Sequence, residues 1–183
     1  MDELKKMWNL AGLVETSLSR VYSHFKNENI PIAIVTAFRD AEEKPLKQSI
    51  ADNKNIASQA RSAGYGYVFL DGAWQDPNTG EEMKEDSVMI IGKENDNGQL
   101  KGMVKKWVGK YNQDAALWKD EGTVEISLLF RDGTTKKIGQ KFSPKTAEHG
   151  YTKLRGRGGR VFTFEGANKH KSWLGRWNDL TGD

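Results

Sequence analysis

The sequence predicts an α/β (α+β) fold: a helix, then a split β-α-β-like, mostly antiparallel sheet covered by helices. Three observations predict it. The 183 residues suffice for one domain that buries its own core without cross-links. Segments with apolar residues three and four apart alternate with short β-branched runs. Turn chemistry separates the runs, at Asp76-Pro77-Asn78-Thr79-Gly80 and at Asp132-Gly133.

The elements follow in order. Leu4, Met7, Trp8, Ala11, Val14, Leu18, Val21, Tyr22 and Phe25 form one apolar stripe and predict a helix over 3–27 that ends before Pro31. Ile32 to Phe38 is β-branched and apolar, a central strand. A charged loop over 41–47 precedes a helix over 48–63, with Ile56, Ala57 and Ala60 inward and Gly64 as its C-cap. Tyr65–Trp74 and Ser87–Ile91 read as strands of one hairpin. Leu100, Met103, Val104, Trp107, Val108 and Tyr111 mark a third helix. Thr123–Phe130 and Lys136–Phe142 make a second hairpin. Tyr151–Leu154 and Val161–Phe164 predict a third, around the Arg155-Gly156-Arg157-Gly158-Gly159-Arg160 loop. Residues 1–142 are thus expected as the α/β domain, and 143–183 as a basic, aromatic-containing C-terminal appendage.

Composition excludes several functions. Without cysteine there is no disulfide and no thiolate metal site. His24, His149 and His170 show no metal-ligand spacing, so no metal centre is expected. No apolar run reaches membrane-span length, and no signal peptide is expected, because no apolar stretch follows Met1-Asp2-Glu3-Leu4-Lys5-Lys6. The expected location is the cytoplasm of a bacterium or infected host cell, with a virion as the alternative. There is no P-loop, no dinucleotide fingerprint and no histidine beside Ser87 for a hydrolase triad.

Charge is uneven. Arg131 to Arg176 carries +9, against a net +3 for the chain. Such asymmetry predicts a nucleic-acid or other polyanion contact, or else a solvated basic face. Lys153, Arg155, Arg157, Arg160, Lys169, Lys171 and Arg176 would supply phosphate contacts, and Trp173 a stacking platform. An acidic protein partner would use the same arginines. No membrane partner and no cofactor are expected.

Two further sets carry possible chemistry. Thr36, Arg39, Asn55, Ser87, Gln113 and Asp114 fall at strand ends or beside helices, where α/β sheets place ligands. Arg39 would grip a phosphate or carboxylate as a fork. The structural alternative is that these residues cap helices and close turns. Asp71 with Glu82, Lys84 and Glu85 is a nuclease-like acidic set that would bind Mg²⁺ and orient water. Ordinary acidic hairpin residues look the same.

Thr36-Ala37-Phe38, Asn53 or Asn55, Gly64-Tyr65, Gly72-Ala73-Trp74, Glu85-Asp86-Ser87 and Gln113-Asp114-Ala115 are spaced as in the DUF3293 family of bacterial and phage proteins of unknown function. The chain resembles that family over about residues 32–118. It departs at Arg39-Asp40 and at Asn112. The resemblance implies no activity. The leading expectation is therefore a small accessory protein binding nucleic acid through its basic C-terminal hairpin. The alternatives are a metal-dependent phosphodiester hydrolase and a phage-type virion or host-factor interaction protein.

Overall fold

A computed structural model describes residues 18–39, 43–75, 82–140, 142–143, 150–154 and 161–164. The expected mixed α/β class is the one observed. In chain order the elements are α1 (Leu18–Lys26), β1 (Ile32–Val35), α2 (Leu46–Ser62), β2 (Gly66–Gln75), β3 (Glu82–Ile91), α3 (Gln99–Lys110), β4 (Ala115–Lys119), β5 (Ile126–Phe130), β6 (Thr135–Gln140), β7 (Phe142–Ser143), β8 (Gly150–Leu154) and β9 (Val161–Phe164). The strands form one sheet in the order β6-β5-β4-β1-β3-β2-β8-β9-β7, with every pairing antiparallel. Its centre, β4-β1-β3-β2, is what two interleaved split β-α-β units produce.

The sheet has an apolar layer on each face. Ala33, Val35, Val88, Ile90, Ala116 and Trp118 pack against α2 and α3, whose Ile56, Ala57, Ala60, Leu100, Val104, Trp107 and Val108 are buried. Ile32, Ile34, Leu70, Met89, Leu117 and Ile126 pack on the opposite face with Val21 and Phe25 of α1. Each fully buried Leu, Ile or Met contributes roughly 1.5–3 kcal/mol relative to exposure. Among the described residues no helix is long and apolar enough to cross a membrane.

Helix ends follow local chemistry. Gly64 takes φ +82°, and Tyr65 N–H donates back to the Ala60 carbonyl, closing α2. Asp96 is buried, accepting from Tyr65 Oη at 2.6 Å and from the Leu100 N–H at 2.8 Å at the start of α3.

Several expectations need correction. β3 begins at Glu82, five residues earlier than expected, so Glu82 and Lys84 belong to the strand and pair with Gln75 and Ala73. β4 is an additional strand: its five residues are all buried, and residues 111–114, with Asn112 in the left-handed region, separate it from α3. β1 stops at Val35, not Phe38. The described part of the N-terminal helix is α1; residues 3–17 of the expected helix, and the turn at 76–80, lie outside the described residues. The C-terminal hairpin pairs as expected, and its first strand also pairs with β2.

Lys119, at the end of β4, is fully buried. Its Nζ donates to the carbonyls of Ile30 (2.6 Å), Asn27 (2.8 Å) and Thr123 (3.1 Å), fastening the α1–β1 connection to the sheet. Burial pushes its pKa down to about 8, opposed by Asp120, Glu28 and Glu121.

Candidate functional site

One end of the sheet gathers the polar residues. β1 leaves the sheet there because Thr36 bonds locally: its Oγ1 donates to the Asp86 carbonyl (2.8 Å) and accepts from the Phe38 N–H (3.0 Å). From the buried face of α2, Asn53 Oδ1 accepts from the Ala37 N–H (2.8 Å), and its Nδ2 donates to the Asp86 carbonyl (2.9 Å). Gln113, also buried, donates to the Phe38 carbonyl at 2.9 Å. Three neutral side chains thus hold the Thr36–Phe38 backbone in one path, and that path delivers Arg39.

Arg39 Nε and Nη2 engage Glu43, and Nη1 donates to the Asn112 carbonyl. Lys44 Nζ donates to the Ala37 carbonyl (2.7 Å) and pairs with Asp52 (2.7 Å). Burial pushes the Asp52 carboxyl up, but hydrogen bonds from Lys44 and Gln48 and the charges of Lys44 and Lys110 outweigh it, so the group sits below the ordinary carboxylate value. The Nζ atoms of Lys110 and Lys44 lie 5.1 and 5.3 Å from the Tyr111 ring centroid. Together Arg39, Glu43, Lys44, Asp52, Lys110, Tyr111 and Asn112 line a cleft of about 410 Å³, within the range of small-molecule sites.

The structure brings part of the strand-end set to the cleft and divides its roles. Arg39 lines the cleft. Thr36 and Gln113 are buried and bind backbone, Ser87 is buried, Asn55 reaches Tyr111 Oη at 3.2 Å, and Asp114 is exposed. Sequence reading missed Glu43, Lys44, Asp52, Lys110, Tyr111 and Asn112. The available signals are an acid four residues after Arg39 and the last apolar position of the third helix, Tyr111.

The nuclease-like set does not converge. Asp71 registers with Asp86, so Glu85, one residue before Asp86, falls on the other face of the strand. Glu82 lies four residues along β3 from Asp71's partner, roughly 13 Å. Among the described residues no three His, Asp or Glu group to hold a metal ion. Of the basic set, Lys153 lies on β8 in register with Asp71. Arg155, Arg157, Arg160, Lys169, Lys171, Trp173 and Arg176 lie outside the described residues.

Comparison with known proteins overturns the expected identity and function. No curated protein matches the chain in sequence. A solved phage SAM lyase in complex with S-methyl-5'-thioadenosine is 13% identical, over 70% of this chain and 91% of that one, with a TM-score of 0.30, too low for any conclusion to rest on. The model of the S-adenosylmethionine lyase family matches residues 33–165. That match corrects the DUF3293 resemblance, which rested on short motifs scattered over strands, a helix and turns. It also corrects the accessory nucleic-acid-binding reading, with its nucleic-acid, polyanion and acidic-protein partners, and the hydrolase and interaction-protein alternatives. The basic segment behind the first reading is a matter of net charge, which speaks to solubility and non-specific contacts rather than to a reaction. Since the matched segment is well over half of the sequence and holds every residue lining the cleft, the chain belongs to the S-adenosylmethionine lyase family.

Proposed function

We propose that this protein cleaves S-adenosylmethionine without water, in the cleft at the end of β1. The carrying observation is the family match across 33–165, which contains the cleft. The substrate's chemistry explains why a polar cleft without a nucleophile suffices. Its methionine carboxylate lies five atoms round from Cγ. When one carboxylate oxygen attacks Cγ, an O–C bond forms and the C–S bond breaks. The bonding pair goes to sulfur, the sulfonium is neutralised, and a five-membered lactone leaves alongside S-methyl-5'-thioadenosine. No proton moves and no cofactor takes part. The protein's task is then orientation, and well-oriented intramolecular reactions reach effective molarities on the order of 10⁵–10⁸ M.

The cleft offers both charge signs to such a zwitterion. Glu43 and Asp52 suit the ammonium, and Arg39 and Lys110 the carboxylate. Thr36, Asn55 and Gln113 serve in its frame. A reaction on this substrate fits the cytoplasm of a bacterium or infected cell, where the substrate is consumed.

The test is to incubate the full chain with S-adenosylmethionine in ¹⁸O-water and follow products by mass spectrometry. The expected result is S-methyl-5'-thioadenosine and a four-carbon product whose Cγ oxygen is unlabelled. Loss of no substrate, or ¹⁸O at the Cγ oxygen, refutes the proposal.

A further inference from the structure

Tyr111 stands at the end of a chain of hydrogen bonds whose direction is fixed by its first member. An indole N–H only donates. Trp107 Nε1 donates to Gln59 Oε1 at 2.9 Å, so the Gln59 amide nitrogen must face the other way. There it donates to Asn55 Oδ1 at 3.1 Å. The Asn55 amide is thereby fixed in turn, with its Nδ2 donating to Tyr111 Oη at 3.2 Å. The Tyr111 oxygen therefore receives a hydrogen bond, and its own proton must point elsewhere. Among the described residues no acceptor for that proton is present, and Tyr111 lines the cleft. The ammonium groups of Lys110 and Lys44 flank the ring, which favours a negatively charged acceptor.

We infer that the Trp107–Gln59–Asn55 relay makes the Tyr111 hydroxyl an obligate donor to a carboxylate oxygen of the ligand in this cleft. The inference deepens the proposed function and rests on it for the identity of the ligand. It adds a division of labour within the substrate: Tyr111 holds one carboxylate oxygen and leaves the other free to attack Cγ. Trp107, Gln59 and Asn55 are positioning residues; Tyr111 touches the ligand.

Calorimetric titration of the full chain with two ligands tests it. S-adenosylhomocysteine keeps the amino-acid carboxylate but has an unreactive neutral sulfur. S-methyl-5'-thioadenosine lacks the carboxylate. Tyr111→Phe is expected to weaken S-adenosylhomocysteine about tenfold, the scale of one hydrogen bond to a charged group, and to leave S-methyl-5'-thioadenosine within twofold. Asn55 is exposed, so Asn55→Asp is compatible with folding. Its carboxylate would accept the Tyr111 proton and divert it from the ligand. Asn55→Asp should therefore mimic Tyr111→Phe, while in the Tyr111→Phe background it should change nothing further. A merely structural role for Asn55 would not produce that coupling. The inference is overturned if both ligands weaken equally, if the two substitutions are additive, or if neither ligand binds the wild-type chain. Cleavage of S-adenosylmethionine is scored separately. Normal cleavage with Tyr111-independent binding overturns the inference alone, whereas Tyr111-dependent binding without cleavage overturns the proposed function alone.

Discussion

Replacing Asn53 by alanine should cost about 2–4 kcal/mol of stability. Asn53 is 2% exposed and joins three elements: it sits on α2, accepts from the Ala37 N–H after β1, and donates to the Asp86 carbonyl on β3. Truncation leaves the buried Ala37 N–H without an acceptor, a desolvation cost of about 1–3 kcal/mol. The Asp86 carbonyl keeps the Thr36 hydroxyl, so that side loses only one net hydrogen bond, about 0.5–1.5 kcal/mol. Asn53→Asp separates the two bonds. It keeps an acceptor for Ala37 but turns a carboxylate oxygen toward the Asp86 carbonyl, so near neutral pH it should destabilise at least as much as alanine. Urea unfolding followed by tryptophan fluorescence and far-UV circular dichroism measures both. For a chain of this size each kcal/mol lowers Tm by about 2–4 °C. A loss under about 0.5 kcal/mol for Asn53→Ala, or a clearly milder Asn53→Asp, would show that the amide does not hold the β1 exit.

Other outcomes follow from single features. Lys119 carries a folded-state pKa of about 8 against an ordinary 10.5, so between those values the unfolded chain holds a proton that the folded one does not. Stability should therefore rise with pH in that window, by on the order of 2–3 kcal/mol between pH 7 and 10. Lys119→Met should lack that rise, and parallel urea curves for the two proteins at both pH values check it; equal slopes would rule the idea out. Gly92→Ala should destabilise by roughly 1–3 kcal/mol, because its Cβ would stand 2.5 Å from the Pro31 carbonyl oxygen. Gly102→Ala, at an exposed position of α3 with nothing within 4 Å, should instead stabilise by about 0.5–1 kcal/mol; thermal melts of the pair test the opposite signs.

Elements were legible in the sequence where periodicity and punctuation agreed. Helix α2 ends beside Gly64, and α3 carries its apolar stripe from Leu100 to Val108. The hairpin at Asp132-Gly133 forms with Gly133 at φ +93°. Legibility failed where burial overrode residue type. β4 is short, two of its five residues are alanines, and it ends on Lys119, a charged residue that is fully buried because backbone carbonyls surround its ammonium, so residue type marks only Leu117 and Trp118 as strand-like. The first half of β3, Glu82–Asp86, is polar and reads as loop, yet it pairs with β2 along its whole length. β1 was read too long because Thr36, Ala37 and Phe38 suit a strand, while the Thr36 hydroxyl and Asn53 take the backbone bonds that would continue it. The site was half legible for the same reason. Arg39, Asn55 and Gln113 stood out by type, whereas Tyr111 and Asp52 become site residues only when the ends of α2 and α3 meet beside β1.

The frame of the cleft is built from neutral amides: Asn53, Asn55, Gln59 and Gln113. An amide both accepts and donates, as Asn53 does between the Ala37 N–H and the Asp86 carbonyl; a carboxylate or an ammonium could do only one of the two and would add a charge beside the substrate. The proposed reaction consumes one negative and one positive charge as the ring closes. Its transition state is less polar than its ground state, and a fixed charge close to either reacting centre would bind the ground state more tightly than the transition state. Amides orient without that penalty, and the direction of three of them is set by a partner that can only donate or only accept: the Trp107 indole for Gln59, the Ala37 N–H for Asn53 and the Phe38 carbonyl for Gln113; Asn55 takes its direction from Gln59. The charged residues of the cleft, Arg39 with Glu43 and Lys44 with Asp52, are tied into ion pairs at its wall. Paired in this way, these four present little net charge to the reacting centres while still meeting the charged ends of the substrate. It also implies that replacing Gln113 by Glu, which turns a carboxylate oxygen toward the Phe38 carbonyl, should lower both the unfolding free energy and kcat; an unchanged unfolding free energy would refute it.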